Sequence, residues 1–202
     1  MIIAVPRESH PGEHRVALVP AAVPPLVKAG LEVLVEAGAG QAAGFSDQQY
    51  VDKGAKIAPN RSELFAAEIV FQVRVTDADL SSYRKGQVVI GMCDPLGSAQ
   101  LAAKIADRGV SLFALELLPR ITRAQSMDVL SSQATVAGYR AVLLAAAALP
   151  KMFPMLITAA GTLNAAKVFI IGAGVAGLQA IATARRLGGA VSAYDVRPAV
   201  KE

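Results

Sequence analysis

Val168-Phe169-Ile170-Ile171-Gly172-Ala173-Gly174-Val175-Ala176-Gly177 is the stretch that decides how this chain is read. An apolar run of the buried-strand type feeds a G-x-G-x-x-G turn, and Asp195 follows eighteen residues after the last glycine. In such a turn Gly172 permits the tight bend, Gly174 lets main chain approach a pyrophosphate, and Gly177 lets the following helix pack closely on the strand. That helix, opening at Val175 and Ala176, points unpaired N–H groups and the positive end of its dipole at the phosphate. Asp195 closes a second apolar run, Ala190-Val191-Ser192-Ala193-Tyr194, where a carboxylate accepts both ribose hydroxyls of an adenosine. Val196 and Arg197 complete the expected cofactor-binding set. A glycine triplet alone is weak evidence; strand, turn, helix and acid in this order make a dinucleotide-binding signature.

The acid also bears on which dinucleotide is held. A 2′-phosphate beside Asp195 meets like charge, so NAD(H) is favoured over NADP(H). Arg197, two positions on, is the counterweight, because a guanidinium neutralises such a phosphate. The acid at the strand end is given the greater weight.

The rest of the composition narrows the classes. With 202 residues, 53% of them hydrophobic, the chain is long enough for one large domain or two smaller ones with real cores. Its single cysteine, Cys93, excludes an internal disulfide framework and suits a reducing compartment. The net charge of +4 comes from scattered residues without an aromatic-basic cluster, so no nucleic-acid partner is expected, nor a metal site. The first residues, Met1-Ile2-Ile3-Ala4-Val5-Pro6-Arg7, read as a strand and not as a signal peptide. No apolar stretch reaches the ~20 residues that a membrane-spanning helix requires.

Along the chain, short β-type runs alternate with helical patterns, the mark of a layered α/β fold. Strands are expected at residues 2–6, 31–36, 69–73, 88–92 and 111–115, and helices near 21–29, 47–53, 62–67 and 98–108. Gly30, Gly54 and Gly109 stand where helices end. A long helical pattern over 127–149, alanine-rich in its second half, stops at Pro150 and Pro154. This organisation reads as an N-terminal α/β domain over 1–126, a connecting helix over 127–149, and the start of a Rossmann domain over 150–202. The fold class is thus α/β, two Rossmann-like domains with parallel sheets. The second is truncated, since a complete dinucleotide-binding half needs strands beyond Asp195; a fragment of a longer protein is expected.

A more specific match lies at residues 120–140. Arg120-Ile121-Thr122-Arg123-Ala124-Gln125-Ser126-Met127-Asp128, then Leu130-Ser131-Ser132-Gln133 and Ala137-Gly138-Tyr139-Arg140-Ala141, resembles the NAD(H)-binding component of proton-translocating NAD(P) transhydrogenases. The segment 153–162, the glycine turn and Tyr194-Asp195-Val196-Arg197 are similar to that family too. The resemblance implies NAD(H) bound between two α/β domains of a homodimer, on the cytoplasmic side of the inner membrane as a soluble peripheral component. It implies two further partners, a membrane-embedded proton-conducting component and a component holding NADP(H), with hydride passing directly between the nicotinamides. It also implies that Arg120, Gln125, Asp128 and Ser131 serve the nicotinamide end; the incomplete second domain leads to the expectation that the 202-residue piece alone is inactive. Read from the residues only, Thr122 and Gln125 make an equally ordinary T-x-x-Q helix cap.

The alternative enzyme is an alanine dehydrogenase, which the N-terminal Glu13-His14-Arg15-Val16-Ala17-Leu18 also resembles. The resemblance implies an arginine, a lysine and a histidine at its substrate carbon. Here those positions fall on Arg15, Arg74 and Asp94. Arginine stays protonated and an ordinary aspartate stays ionised, so neither replaces a group titrating near neutrality. Hydride exchange between two nicotinamides needs no such shuttle; orientation and exclusion of water suffice. A non-catalytic NAD(H)-binding module is the third reading.

Overall fold

The computed structural model describes residues 1–200 and divides into two compact units, Met1–Ala124 and a second beginning at Gln125. In the first unit the elements run β1 (Ile2–Val5), α1 (Val23–Lys28), β2 (Glu32–Glu36), α2 (Asp47–Val51), β3 (Lys56–Ala58), α3 (Arg61–Leu64), β4 (Ile69–Arg74), β5 (Val88–Met92), α4 (Ala99–Asp107) and β6 (Ser111–Ala114). The six strands form one parallel sheet in the order β3-β2-β1-β4-β5-β6, the doubly wound Rossmann order. Because successive side chains on a strand point to opposite faces, β1 feeds two cores. Ile3 and Val5 join Val33, Val35, Val23 and Tyr50 on one face, while Ala4 joins Val70, Val89, Phe65 and Ile105 on the other. Burial on both faces is why these strands read as continuous apolar runs.

A polar network crosses this unit. The Arg61 guanidinium donates to Glu36 Oε2 at 2.6 Å, to Asp79 Oδ1 at 2.5 Å and to the Arg7 carbonyl at 3.0 Å. Asp79, whose side chain is only 3% exposed, also accepts from Ser9 and Gln72, and Gln72 in turn accepts from Tyr83. Burial pushes the Tyr83 hydroxyl far up from its ordinary value, which keeps it a donor.

The second unit holds α5 (Val129–Ala148), the antiparallel pair β7 (Leu156–Thr158) and β8 (Gly161–Leu163), then β9 (Lys167–Ile171), α6 (Val175–Arg186) and β10 (Ala190–Tyr194). Strands β9 and β10 pair in parallel, with Ile171 opposite Tyr194. Val168, Ile170 and Val191 pack with Ala180 and Ala184 of α6 and Val142 of α5. Helix α5 belongs to this unit and lies directly on α6, where a Cβ on Gly138 would stand 2.1 Å from the Ala176 carbonyl oxygen.

The structure adds elements that the sequence pattern did not announce. Edge strand β3 and the β7–β8 hairpin were not expected, and the helix anticipated over 62–67 is only the single turn of α3. No described helix is long and apolar enough to cross a membrane.

Candidate nucleotide-binding site

The glycine turn sits between β9 and α6, and each glycine answers a separate steric demand. Gly172 has φ +93°, the left-handed region that side chains avoid. A Cβ on Gly177 would fall 1.8 Å from the Gly172 carbonyl oxygen, so only glycine lets the first turn of α6 fold back on the bend. Gly174 is the N-cap of α6, and a Cβ there would meet nothing nearer than Arg197 Nη2 at 3.9 Å. Space therefore remains on this side of the helix start.

Register delivers the acid. Tyr194 lies beside Ile171, so the next residue, Asp195, arrives at the lip of the turn. Its Oδ2 accepts the Ala173 N–H at 2.7 Å and Arg197 Nη2 at 2.9 Å; its Oδ1 accepts the Arg197 N–H at 2.8 Å and Nε at 3.0 Å. The Arg197 guanidinium first, then the Arg197 and Ala173 N–H groups, hold this carboxyl well below the usual carboxylate range. The carboxylate is ionised throughout the physiological range. A concavity of about 420 Å³, lined by Ala173, Tyr194, Asp195, Val196, Arg197 and Pro198, opens beside the turn. Its volume is within the usual range for small-molecule sites, and its lining combines apolar walls with one carboxylate and one guanidinium. These residues fit the ADP half of a dinucleotide: an open glycine at a helix N-terminus for phosphate, and an acid at the next strand end for ribose.

The first unit follows the same path from β1 to β2 without these features. Pro6-Arg7-Glu8 replaces a glycine turn, and Glu36, at the end of β2, is tied to the Arg7 N–H at 2.8 Å and to Arg61. The fold is shared, whereas among the described residues the glycine turn with its uncrowded helix start belongs to the second unit.

The remaining candidates lie around the unit boundary. Arg120 is exposed in the last segment of the first unit, and Gln125 is exposed in the 3-10 stretch Thr122–Met127. Asp128 is the N-cap of α5: it accepts the Ser131 N–H at 2.9 Å and the Ser131 hydroxyl at 2.6 Å. The capping role therefore falls to Asp128, with Thr122 and Gln125 inside the preceding turn. Two of the four proposed nicotinamide residues are thus bonded to each other, which fixes both rotamers before any ligand arrives.

Arg15, Arg74 and Asp94 belong to the first unit. The Arg15 fork is filled by Glu13, with Nε to Oε1 at 2.7 Å and Nη2 to Oε2 at 2.6 Å. Hydrogen bonding from Arg15 pulls the Glu13 carboxyl down to about 2. Arg74 ends β4, and Asp94 adopts φ +48° in the loop after β5. The mutual pairing of Asp195 with Arg197, and the contact of Gly138 with α6, were not anticipated from sequence. A D-x-R spacing and a glycine inside an alanine-rich helix are the only traces they leave there.

Comparison with known proteins identifies a family. The family model for the alanine dehydrogenase/PNT N-terminal domain matches residues 4–137, and that for the C-terminal domain matches residues 141–202. An NAD(P) transhydrogenase alpha-subunit protein of Rhodospirillum rubrum is 45% identical over 210 residues, covering 100% of this chain and 54% of that protein. Alanine dehydrogenase of Bacillus subtilis is 33% identical over 200 residues, covering 97% of this chain and 52% of that protein. A solved transhydrogenase from Sinorhizobium meliloti superposes with TM-score 0.96 at 50% identity, over 100% of this chain and 60% of that one. An L-alanine dehydrogenase structure gives TM-score 0.87 at 29% identity, over 99% of this chain and 56% of that one. The chain spans about half the length of the Rhodospirillum rubrum relative. With the two domain models matching residues 4–137 and 141–202, this chain belongs to the alanine dehydrogenase/PNT family.

Proposed function

We propose that this chain is the NAD(H)-binding part of a proton-translocating NAD(P) transhydrogenase. The observation that carries the reading is the meeting of Asp195 with the glycine turn: the acid accepts the Ala173 N–H at 2.7 Å, beside an α6 N-terminus left open at Gly174. Gly172, Gly174 and Gly177, with the N–H groups of Val175 and Ala176, receive the pyrophosphate. Asp195, flanked by Val196 and Arg197, takes the adenosine ribose and favours NAD(H) over its 2′-phosphorylated counterpart. Arg120, Gln125, Asp128 and Ser131 orient the nicotinamide end. NADH held here would supply a hydride to NADP+ on a partner component, leaving NAD+ and NADPH, and the reverse transfer would use the same arrangement. The protein's own work is to hold, orient and exclude water. Movement of protons belongs to a membrane component, to which this part docks from the cytoplasmic side of the inner membrane, and hydride exchange requires the NADP(H)-binding partner.

A homodimer belongs to the same proposal. Support comes from the β7–β8 hairpin, an isolated two-stranded element exposed at every residue, with Ile157 80% exposed. Such a hairpin is marginal without something packed on it.

Against an amino-acid dehydrogenase stands the first unit's chemistry. Arg15 is engaged by Glu13, and Arg74 and Asp94 stand where a proton-transferring pair is required. The test mixes the protein, NADH and a separately prepared NADP(H)-binding component with an NADP analogue. Direct hydride exchange is expected, together with no NADH oxidation on adding pyruvate and ammonia. Pyruvate-dependent oxidation would transfer the protein to the dehydrogenases, and NADH binding without either activity would leave a binding module.

A further inference from the structure

We infer that the Arg197 side chain is a displaceable latch on the ribose acceptor, occupying Asp195 until a vicinal diol takes its place. The inference rests on the reading of Asp195 given above and goes one step further. An ionised carboxylate has about four lone-pair sites. Asp195 fills them with four donors: the Ala173 N–H, and the N–H, Nε and Nη2 of Arg197. A ribose that donates two hydroxyls to this carboxylate must therefore evict donors already there.

Mobility identifies which ones leave. The two main-chain donors are fixed, one by the glycine turn and the other by the strand end. The Arg197 side chain is 59% exposed, and among the described residues it bonds to nothing but Asp195. Arg61 in the first unit shows the opposite design. It also grips an acid at a strand end, Glu36, but it is held in addition by buried Asp79 and the Arg7 carbonyl. Glu36 is thus permanently closed, whereas Asp195, its own side chain 7% exposed, is closed by a single guanidinium that faces solvent. Exposed ion pairs are weak, so removing the competitor tightens diol binding only about two- to fivefold.

The latch has a function beyond neutralising charge. It keeps the carboxylate bonded and oriented without ligand, and makes occupancy conditional on a group that replaces both guanidinium bonds at once. A ribose diol does so; a lone hydroxyl or a 2′-phosphate does not.

The experiment is a titration of the protein and its Arg197→Gln variant with 5′-AMP and with 2′,3′-dideoxy-AMP, read by calorimetry and by the arginine Nε–H signals in NMR. Arg197→Gln is expected to bind 5′-AMP about two- to fivefold tighter and dideoxy-AMP unchanged. In the unsubstituted protein the Arg197 Nε–H signal should move on adding 5′-AMP and stay in place with the dideoxy compound. Equal weakening for both ligands would overturn the latch, since the guanidinium would then be a phosphate ligand. So would an unmoved Arg197 signal with 5′-AMP bound. Absence of 5′-AMP binding to either protein would instead remove the nucleotide reading of Asp195, and the latch with it.

Discussion

Replacing Gly138 by alanine sets helix propensity against packing. In a helix interior alanine is preferred to glycine by about 1 kcal/mol, so on a solvent-facing turn the substitution would stabilise by that amount. Gly138 faces α6. A Cβ there would lie 2.1 Å from the Ala176 carbonyl oxygen and 2.9 Å from its carbon, where ordinary contact begins near 3.4 Å. The obstacle is main chain in the first turn of α6 and has no rotamer to change, so the helices must part by roughly 1 Å. Overpacking of this kind costs ~1–3 kcal/mol, and a backbone obstacle places Gly138→Ala at the upper end. Subtracting the propensity gain leaves a net loss of about 2 kcal/mol. Urea denaturation of the 202-residue chain should show the midpoint falling at unchanged slope, and melting about 4–8 °C lower. Gln133→Ala, exposed on the same helix, is the control and should leave both within error. Because Ala176 stands in the turn proposed to receive phosphate, nucleotide binding should weaken along with stability. A Gly138→Ala protein as stable as the original, or more so, would refute the close α5–α6 approach.

Asp128→Ala should cost about 1 kcal/mol through loss of the α5 cap. Asp128→Asn keeps the cap, so weaker NADH binding at unchanged stability in that variant isolates the nicotinamide role; unchanged binding would remove it. Arg61→Ala should destabilise the first unit by about 3 kcal/mol, because Asp79 is left buried without its cation; a loss below ~1 kcal/mol by chemical denaturation would contradict the network. Glu13 titrates at about 2 rather than 4.5, so its pairing with Arg15 stabilises above pH 4.5 and that contribution disappears as pH falls toward 2. Accordingly, the stability gap between the protein and Glu13→Gln should be widest near neutrality and close on acidification; a gap independent of pH would count against the pair.

What the sequence made legible follows from burial. Strands β1, β4 and β5 are covered on both faces, so Ile2-Ile3-Ala4-Val5, Ile69-Val70-Phe71 and Val88-Val89-Ile90 stand out as apolar runs. Strand β3 carries only Lys56-Ile57-Ala58 at a sheet edge, and a three-residue edge leaves no period to detect. The β7–β8 hairpin is exposed throughout, so no alternation of inward and outward residues marks it. At the candidate site, the glycines and Asp195 were visible because strand, turn and acid keep a fixed spacing. The saturation of Asp195 was not visible, since a D-x-R triplet is common on surfaces and only the backbone after β10 brings guanidinium and carboxylate face to face. Asp128 reads from sequence as one nicotinamide candidate among four, and its role as a helix cap follows only from the start of α5 at Val129.

The 2.7 Å bond from the Ala173 N–H to Asp195 has an engineering consequence. Under the proposed function one side chain both screens coenzymes and staples the bend proposed to cradle their phosphates. Exchanging it for a neutral or small residue, the obvious route to accepting the phosphorylated coenzyme, also strands a main-chain donor and slackens the bend. Switching preference here calls for a replacement acceptor to be installed together with the change of charge.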